Sequence, residues 1–129
     1  DVTGFGLLGH LGAMLLASGV AADIWAGAVP WLVGARRLAE AGHIPGGTRR
    51  NLASAIETTT WDPGFDEIER LMLADAQTSG GLLLAVRPEA LPRLLTSLES
   101  HGTLAAAEIG AVGAGPPGSI RVHRGTYAP

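Results

Sequence analysis

The stretch FGLLGHLGAMLLASGVAADIW, residues 5–25, decides the fold, because it admits two readings. From Val2 to Ala35 the only formal charge is Asp23, as in a membrane span. Against a span, Gly4, Gly6, Gly9 and Gly12 crowd the first half, and Gly19 and Asp23 interrupt the run. No Lys or Arg flanks its start, and Arg36-Arg37 is a small anchor. A buried helix followed by a core strand accounts for the same residues. The spacing predicts a helix over 5–19, with Leu7, Leu11, Met14, Leu15 and Ser18 on one side and Leu8 beside them. Gly19 is its stop. Residues 20–25 then form a strand with Val20, Ala22 and Ile24 on one face.

Working outward, a second helix is expected over 31–40, with Pro30 in its first turn and Gly42 as its C-terminal signal. A loop through Ile44-Pro45-Gly46-Gly47-Thr48 leads into a helix near 49–56. Residues 58–64 are polar and breaking. The next helix, capped by Asp62 or Asp66, carries Ile68, Leu71 and Met72 inward and ends near Leu73. Leu82-Leu83-Leu84-Ala85-Val86, bounded by Gly81 and Pro88, reads as a buried strand. Pro88 and Pro92 cannot both lie inside the following helix, so it starts near Leu91 and closes at Gly102. Strands at about 105–112 and 119–123 follow, separated by Pro116-Pro117-Gly118, and the tail from Gly125 is loose. The order implies an α+β domain over 1–129, a mixed β-sheet covered by helices.

Composition removes whole classes of chemistry. The 129 residues contain no cysteine, and all nine basic residues are arginine. There is thus no disulfide, thiolate or zinc ribbon, and no lysine phosphate clamp or Schiff base. A net charge of −3 without a basic cluster argues against nucleic acid as the main partner. No secretory signal is visible, and a first residue that is an acid rather than Met suggests a piece excised from a longer protein.

Six features could carry chemistry, and each has a plainer reading. Gly4-Phe5-Gly6-Leu7-Leu8-Gly9 is a literal G-x-G-x-x-G, but no strand precedes it and Asp23 comes too early for a ribose-binding acid. Glycines permitting a turn and close packing explain it better. Asp1, at a turn entering a helix, can ligate a hard divalent cation, with Thr3 beside it, or either residue simply caps the helix. Gln77-Thr78-Ser79-Gly80-Gly81 could cradle an anion with backbone N–H groups, or merely align a strand. Arg49 and Arg50 could grip phosphate, or form a solvated face. His10, His43, His101 and His123 lack metal-ligand spacing, and His10 reads as a hydrogen-bonded core residue. Asp66, Glu67 and Glu69 favour a helix start electrostatically.

Three segments taken together carry a family resemblance. Residues 1–10, DVTGFGLLGH, resemble the opening of the C-terminal domain of selenophosphate synthetases (selenide, water dikinases). Pro45-Gly46-Gly47-Thr48-Arg49-Arg50-Asn51 resembles the family's P-G-G-T-x-R-N loop, and residues 73–86, LADAQTSGGLLLAV, resemble its L-x-D-P-Q-T-S-G-G-L-L-L-A-V segment. The D-x-T-G-x-G part is shared with relatives such as aminoimidazole ribonucleotide synthetase. The resemblance implies that superfamily's C-terminal fold and a cytoplasmic enzyme that converts ATP, selenide and water into selenophosphate, AMP and phosphate. It assigns Asp1 to the Mg2+ ions on the ATP phosphates, with Thr3 as a neighbour at the nucleotide site.

The resemblance also implies that the glycine-rich loop, the nucleophilic Cys or selenocysteine, the lysine and the other metal aspartates lie on an N-terminal catalytic domain in cis. Dimerisation is implied mostly through that domain, giving a homodimer with no nucleic-acid or membrane partner. On this footing the 129-residue piece alone is inactive. Ala76 departs from the family by replacing a Pro. Two alternatives stay open: another ATP-dependent enzyme of the superfamily, or a non-catalytic binding module of the same fold.

Overall fold

The chain is described by a computed structural model that covers residues 1–127. The stretch that decides the fold forms helix α1 (Gly6–Ser18) and strand β1 (Ala21–Trp25). Gly19, left-handed at φ 68°, ends the helix and lets its N–H return to the last carbonyls. Among the described residues no helix is long and apolar enough to cross a membrane. The helix buries Leu8, Leu11 and Leu15, whereas Met14 and Ser18 face outward. Its inward face is therefore turned toward Leu8 relative to the expected one, with Leu7 packed at its side.

Helices α2 (Ala35–Glu40), α3 (Gly46–Ala55) and α4 (Glu67–Leu73) follow, with strand β2 (Thr59–Trp61) between α3 and α4. Helix α5 (Leu91–Ser100) precedes strands β3 (Gly110–Gly113) and β4 (Ile120–His123). The sheet order is β2-β4-β1-β3, with β3 antiparallel to β1 and the other pairs parallel. On one face Ala22, Ile24, Ile120 and Val122 meet Leu8, Leu11 and Leu15 of α1, and Ala55, Phe65, Leu73 and Ala74 complete the core. This is the expected α+β arrangement of a mixed sheet and helices.

Several local expectations are corrected. The buried strand over 82–86 does not form: among the described residues no ladder pairs it, and Leu82, Leu84 and Val86 are exposed while Leu83 packs on the core. An apolar run becomes a strand only where a neighbour satisfies its backbone. The missed strand is β2, within the segment read as breaking; β-branched Thr59 and Thr60 and aromatic Trp61 suit a pleated surface, and Thr59 is buried. Helix α2 begins after a left-handed Gly34, so Trp31 and Leu32 lie in irregular chain ahead of the Val33-Gly34 turn rather than in its first turn. Helix α3 starts at Gly46, earlier than expected. Pro92 falls in the first turn of α5, as the proline argument required. The tail is tied rather than loose as far as it is described: the Gly27 N–H donates to the Gly125 carbonyl (2.8 Å), and Tyr127 packs on Trp25. Residues 128–129 lie outside the described residues.

The second face of the sheet carries a polar cluster. His123 on β4 stacks on Trp25 and sits between two carboxylates, Asp23 Oδ1 at 2.6 Å and Asp62 Oδ2 at 3.2 Å. The contact ties β1 and β4 to the segment leaving β2.

Of the two candidate caps of α4, Asp66 is used. Its carboxylate accepts the Glu69 N–H (2.7 Å), and the Glu69 carboxylate accepts the Asp66 N–H (2.9 Å), a reciprocal capping box. The Glu69 backbone hydrogen bond, reinforced by Arg36 at 2.6 Å, holds the Asp66 carboxyl below the usual carboxylate range. A depressed carboxyl contributes stability that is complete above its unfolded value and lost as pH falls through its folded value. Between about pH 5 and pH 2, Asp66→Asn, which keeps a capping oxygen without the charge, is expected to lose less thermal stability than the parent chain. Equal acid losses in circular-dichroism melts would remove Asp66 from the groups that sense acid.

Candidate functional site

The three segments that carry the resemblance meet in space. The Val2 N–H donates to the Gly81 carbonyl (2.9 Å), and the Thr3 carbonyl accepts from both Gly6 N–H and Gln77 N–H (3.0 Å each). The chain's first turn is thereby laid against the loop that follows α4. Close approach demands glycine at two points. Gly6 is buried at φ 68°, and a Cβ there would lie 2.5 Å from the Ala74 carbonyl oxygen. A Cβ on Gly80 would overlap the Val2 carbonyl oxygen.

Helix α3 supplies the middle segment. Thr48, 1% exposed, donates from Oγ1 to Asp75 Oδ1 (2.5 Å) and accepts the Ala76 N–H (3.3 Å). Gln77 Nε2 donates to the Asp75 carbonyl (3.2 Å) and to Asp75 Oδ2 (3.4 Å). Asn51 Nδ2 donates to the carbonyls of Gly4 (2.8 Å) and Ala74 (3.1 Å). Positions 48 and 51 are one helical turn apart, so both side chains face the same seam.

Helix α1 closes the turn from the other side. His10 Nε2 lies 3.1 Å from Thr3 Oγ1 and accepts the Phe5 N–H at 3.4 Å. A ring nitrogen that accepts an N–H carries no proton, so the Thr3 hydroxyl is the donor of the pair. His10 is half-buried and caps a turn, which corrects its reading as a core residue.

Asp1 is exposed at the rim of this junction, and Thr3 is exposed with its hydroxyl turned to His10. Among the described residues no group of three His, Cys, Asp or Glu could hold a metal ion. The Asp1 carboxylate is a hard oxygen donor open to solvent on a pinned turn, which fits one ligand of a divalent cation that takes its others elsewhere. Arg49 points away and pairs with Glu67 at 3.4 Å on an exposed face, and Arg50 is exposed beside Gly46 and Gly47. The Gln77 N–H is taken by Thr3, so that part of the 77–81 loop is committed to aligning the first turn rather than to an anion. A cavity of about 630 Å³ lined by Trp31, Arg36, Arg37, Glu69 and Met72 lies apart from the motif residues.

Sequence reasoning missed Thr48, Asn51 and Asp75 as individuals, since it dwelt on the charged Arg49 and Arg50. The available signal was the i, i+3 spacing of two polar residues on a helix whose other polar positions are solvated.

The chain is 43% identical over 118 residues to the selenide, water dikinase of Myxococcus xanthus, covering 92% of this chain and 33% of that protein. It is 44% identical over 124 residues to that of Carboxydothermus hydrogenoformans, covering 96% and 35%, and 47% identical over 102 residues to that of Escherichia coli O139:H28, covering 79% and 28%. The chain therefore spans about a third of the length of the curated relatives it matches. Residues 1–123 match the model of the AIR synthase related protein, C-terminal domain, and the chain belongs to that family.

Proposed function

We propose that the chain is the C-terminal part of a selenophosphate synthetase, a cytoplasmic enzyme that turns ATP, selenide and water into selenophosphate, AMP and phosphate. The observation that carries the reading is the convergence of the three motif segments on one junction with Asp1 at its rim. The identities with several selenide, water dikinases support it. They favour it over another ATP-dependent member of the superfamily and over a non-catalytic module.

In this reading Asp1 is one ligand of the Mg2+ that accompanies ATP, and Thr3 lies beside the nucleotide site. When bound, Mg2+ would supply charge neutralisation on the triphosphate. The chain's own task is to hold a carboxylate at a fixed place. Thr3 orients the turn through its carbonyl and hydroxyl, and the glycines let the segments approach. The nucleophile and the remaining ligands belong to an N-terminal domain in cis, through which the protein forms a homodimer.

The longer protein, given ATP, selenide and Mg2+, is expected to yield selenophosphate, AMP and phosphate in equal amounts, followed by 31P NMR. The 129-residue chain alone is expected to yield none. Absence of selenophosphate from the longer protein would overturn the reading, and selenide-dependent AMP release by the chain alone would overturn the division of labour.

A further inference from the structure

The geometry points to Asn51 as a positioning residue that clamps the metal-bearing turn to the loop after α4. One side-chain amide nitrogen holds two backbone carbonyls from segments far apart in sequence, Gly4 at 2.8 Å and Ala74 at 3.1 Å. The Ala74 carbonyl stands just past the end of α4, where helical partners run out. Gly4 lies between Thr3, which accepts from Gln77 and Gly6, and Gly6, which abuts Ala74. Asn51 thus spans the seam whose two sides also meet through Val2–Gly81 and Thr3–Gln77.

The side chain is placed from beneath. Thr48, one turn earlier on α3, is bonded to Asp75 and to the Ala76 N–H, so the helix and the loop are locked in register. An –NH2 group is the only end that serves here, because both targets are acceptors. A carboxylate of the same size would set an acceptor against two carbonyls, and a leucine would leave both without that donor. Asn51 touches no reacting group; it acts through the place it gives Asp1. The role rests on the proposed Mg2+ duty of Asp1, whereas the clamp itself does not.

The test uses the longer protein with Asn51→Leu and Asn51→Asp, read first by hydrogen exchange. The Val2, Gly6 and Gln77 amides are expected to exchange roughly 10-fold faster, or more, in both variants. The Trp25 and Ile120 amides, bonded within the sheet region, should keep the parent rate. The second reading is turnover against Mg2+ concentration. Half-maximal activity is expected to need roughly 10-fold more Mg2+, with kcat at saturating metal within about twofold of the parent.

Unchanged exchange at Val2, Gly6 and Gln77 would overturn the clamp. Equal acceleration at Trp25 and Ile120 would reduce Asn51 to general stability and also overturn it. Faster exchange with an unchanged Mg2+ requirement would overturn the positioning role, whether or not Asp1→Asn lowers turnover. If the parent makes no selenophosphate, the proposed function falls and the exchange data alone judge the clamp.

Discussion

Replacing Asp1 by Asn in the longer protein is expected to lower Mg2+-dependent ATP turnover by on the order of 100-fold or more, with the fold unchanged. The amide keeps the size and one oxygen of the carboxylate but loses the charge that a hard cation needs. Asp1 is exposed at the edge of the chain's first turn, and the bonds that hold that turn run through Val2, Thr3, Gly4 and Gly6. Thermal unfolding should therefore be insensitive to the change, which separates a ligand from a structural residue. Raising the Mg2+ concentration should recover only part of the lost rate. Turnover equal to that of the parent protein would remove Asp1 from the metal site.

The second large effect concerns stability and comes from the same string. Gly6→Ala places a methyl group 2.5 Å from the Ala74 oxygen, 2.6 Å from its carbon and 2.8 Å from the Asp75 oxygen. All three are backbone atoms, so no flexible side chain can swing away. The position is also left-handed, at φ 68°, which an alanine adopts at a cost of about 1–2 kcal/mol. Adding the overlap with fixed backbone gives about 3–5 kcal/mol, a drop of roughly 10 °C or more in Tm.

Gly4→Ala is the control, because nothing lies within 4 Å of a Cβ there. It should cost at most about 1 kcal/mol. Denaturant unfolding of the two variants side by side checks the contrast, and equal midpoints would mean that Gly6 does not abut Ala74 as described. The result also explains the dinucleotide-like string. Two glycines two residues apart look alike in sequence, but one is needed for close approach and the other is not.

Acid sensitivity at Asp66 and the Asn51 clamp are smaller effects of the same kind, in which a local polar group fixes where two segments meet. Both lie at helix boundaries or seams, where backbone groups lack partners within their own element.

The sequence read alone determined what local chemistry controls. The 3.6-residue spacing through Leu7, Leu11 and Leu15 set α1, although packing turned its buried face toward Leu8; Gly19 ended the helix, and Ala22 and Ile24 gave β1 its buried face. The prolines placed the start of α5, and Asp66 was visible as a cap. Asp1 was legible as a candidate ligand because its residue type and the motif around it are local facts. Tertiary structure decided what depends on a distant partner. Leu82–Val86 has the composition of a buried strand but no ladder, while Thr59–Trp61 gains one from Ile120–Val122. Arg49 and Arg50 drew attention by charge, yet it is Thr48 and Asn51 that reach the seam, because helix phase relative to the Asp75 loop selects the inward side. Residue type and spacing fix the propensity of a segment; a hydrogen bond or a packed face also needs its other half, and only the folded chain supplies that.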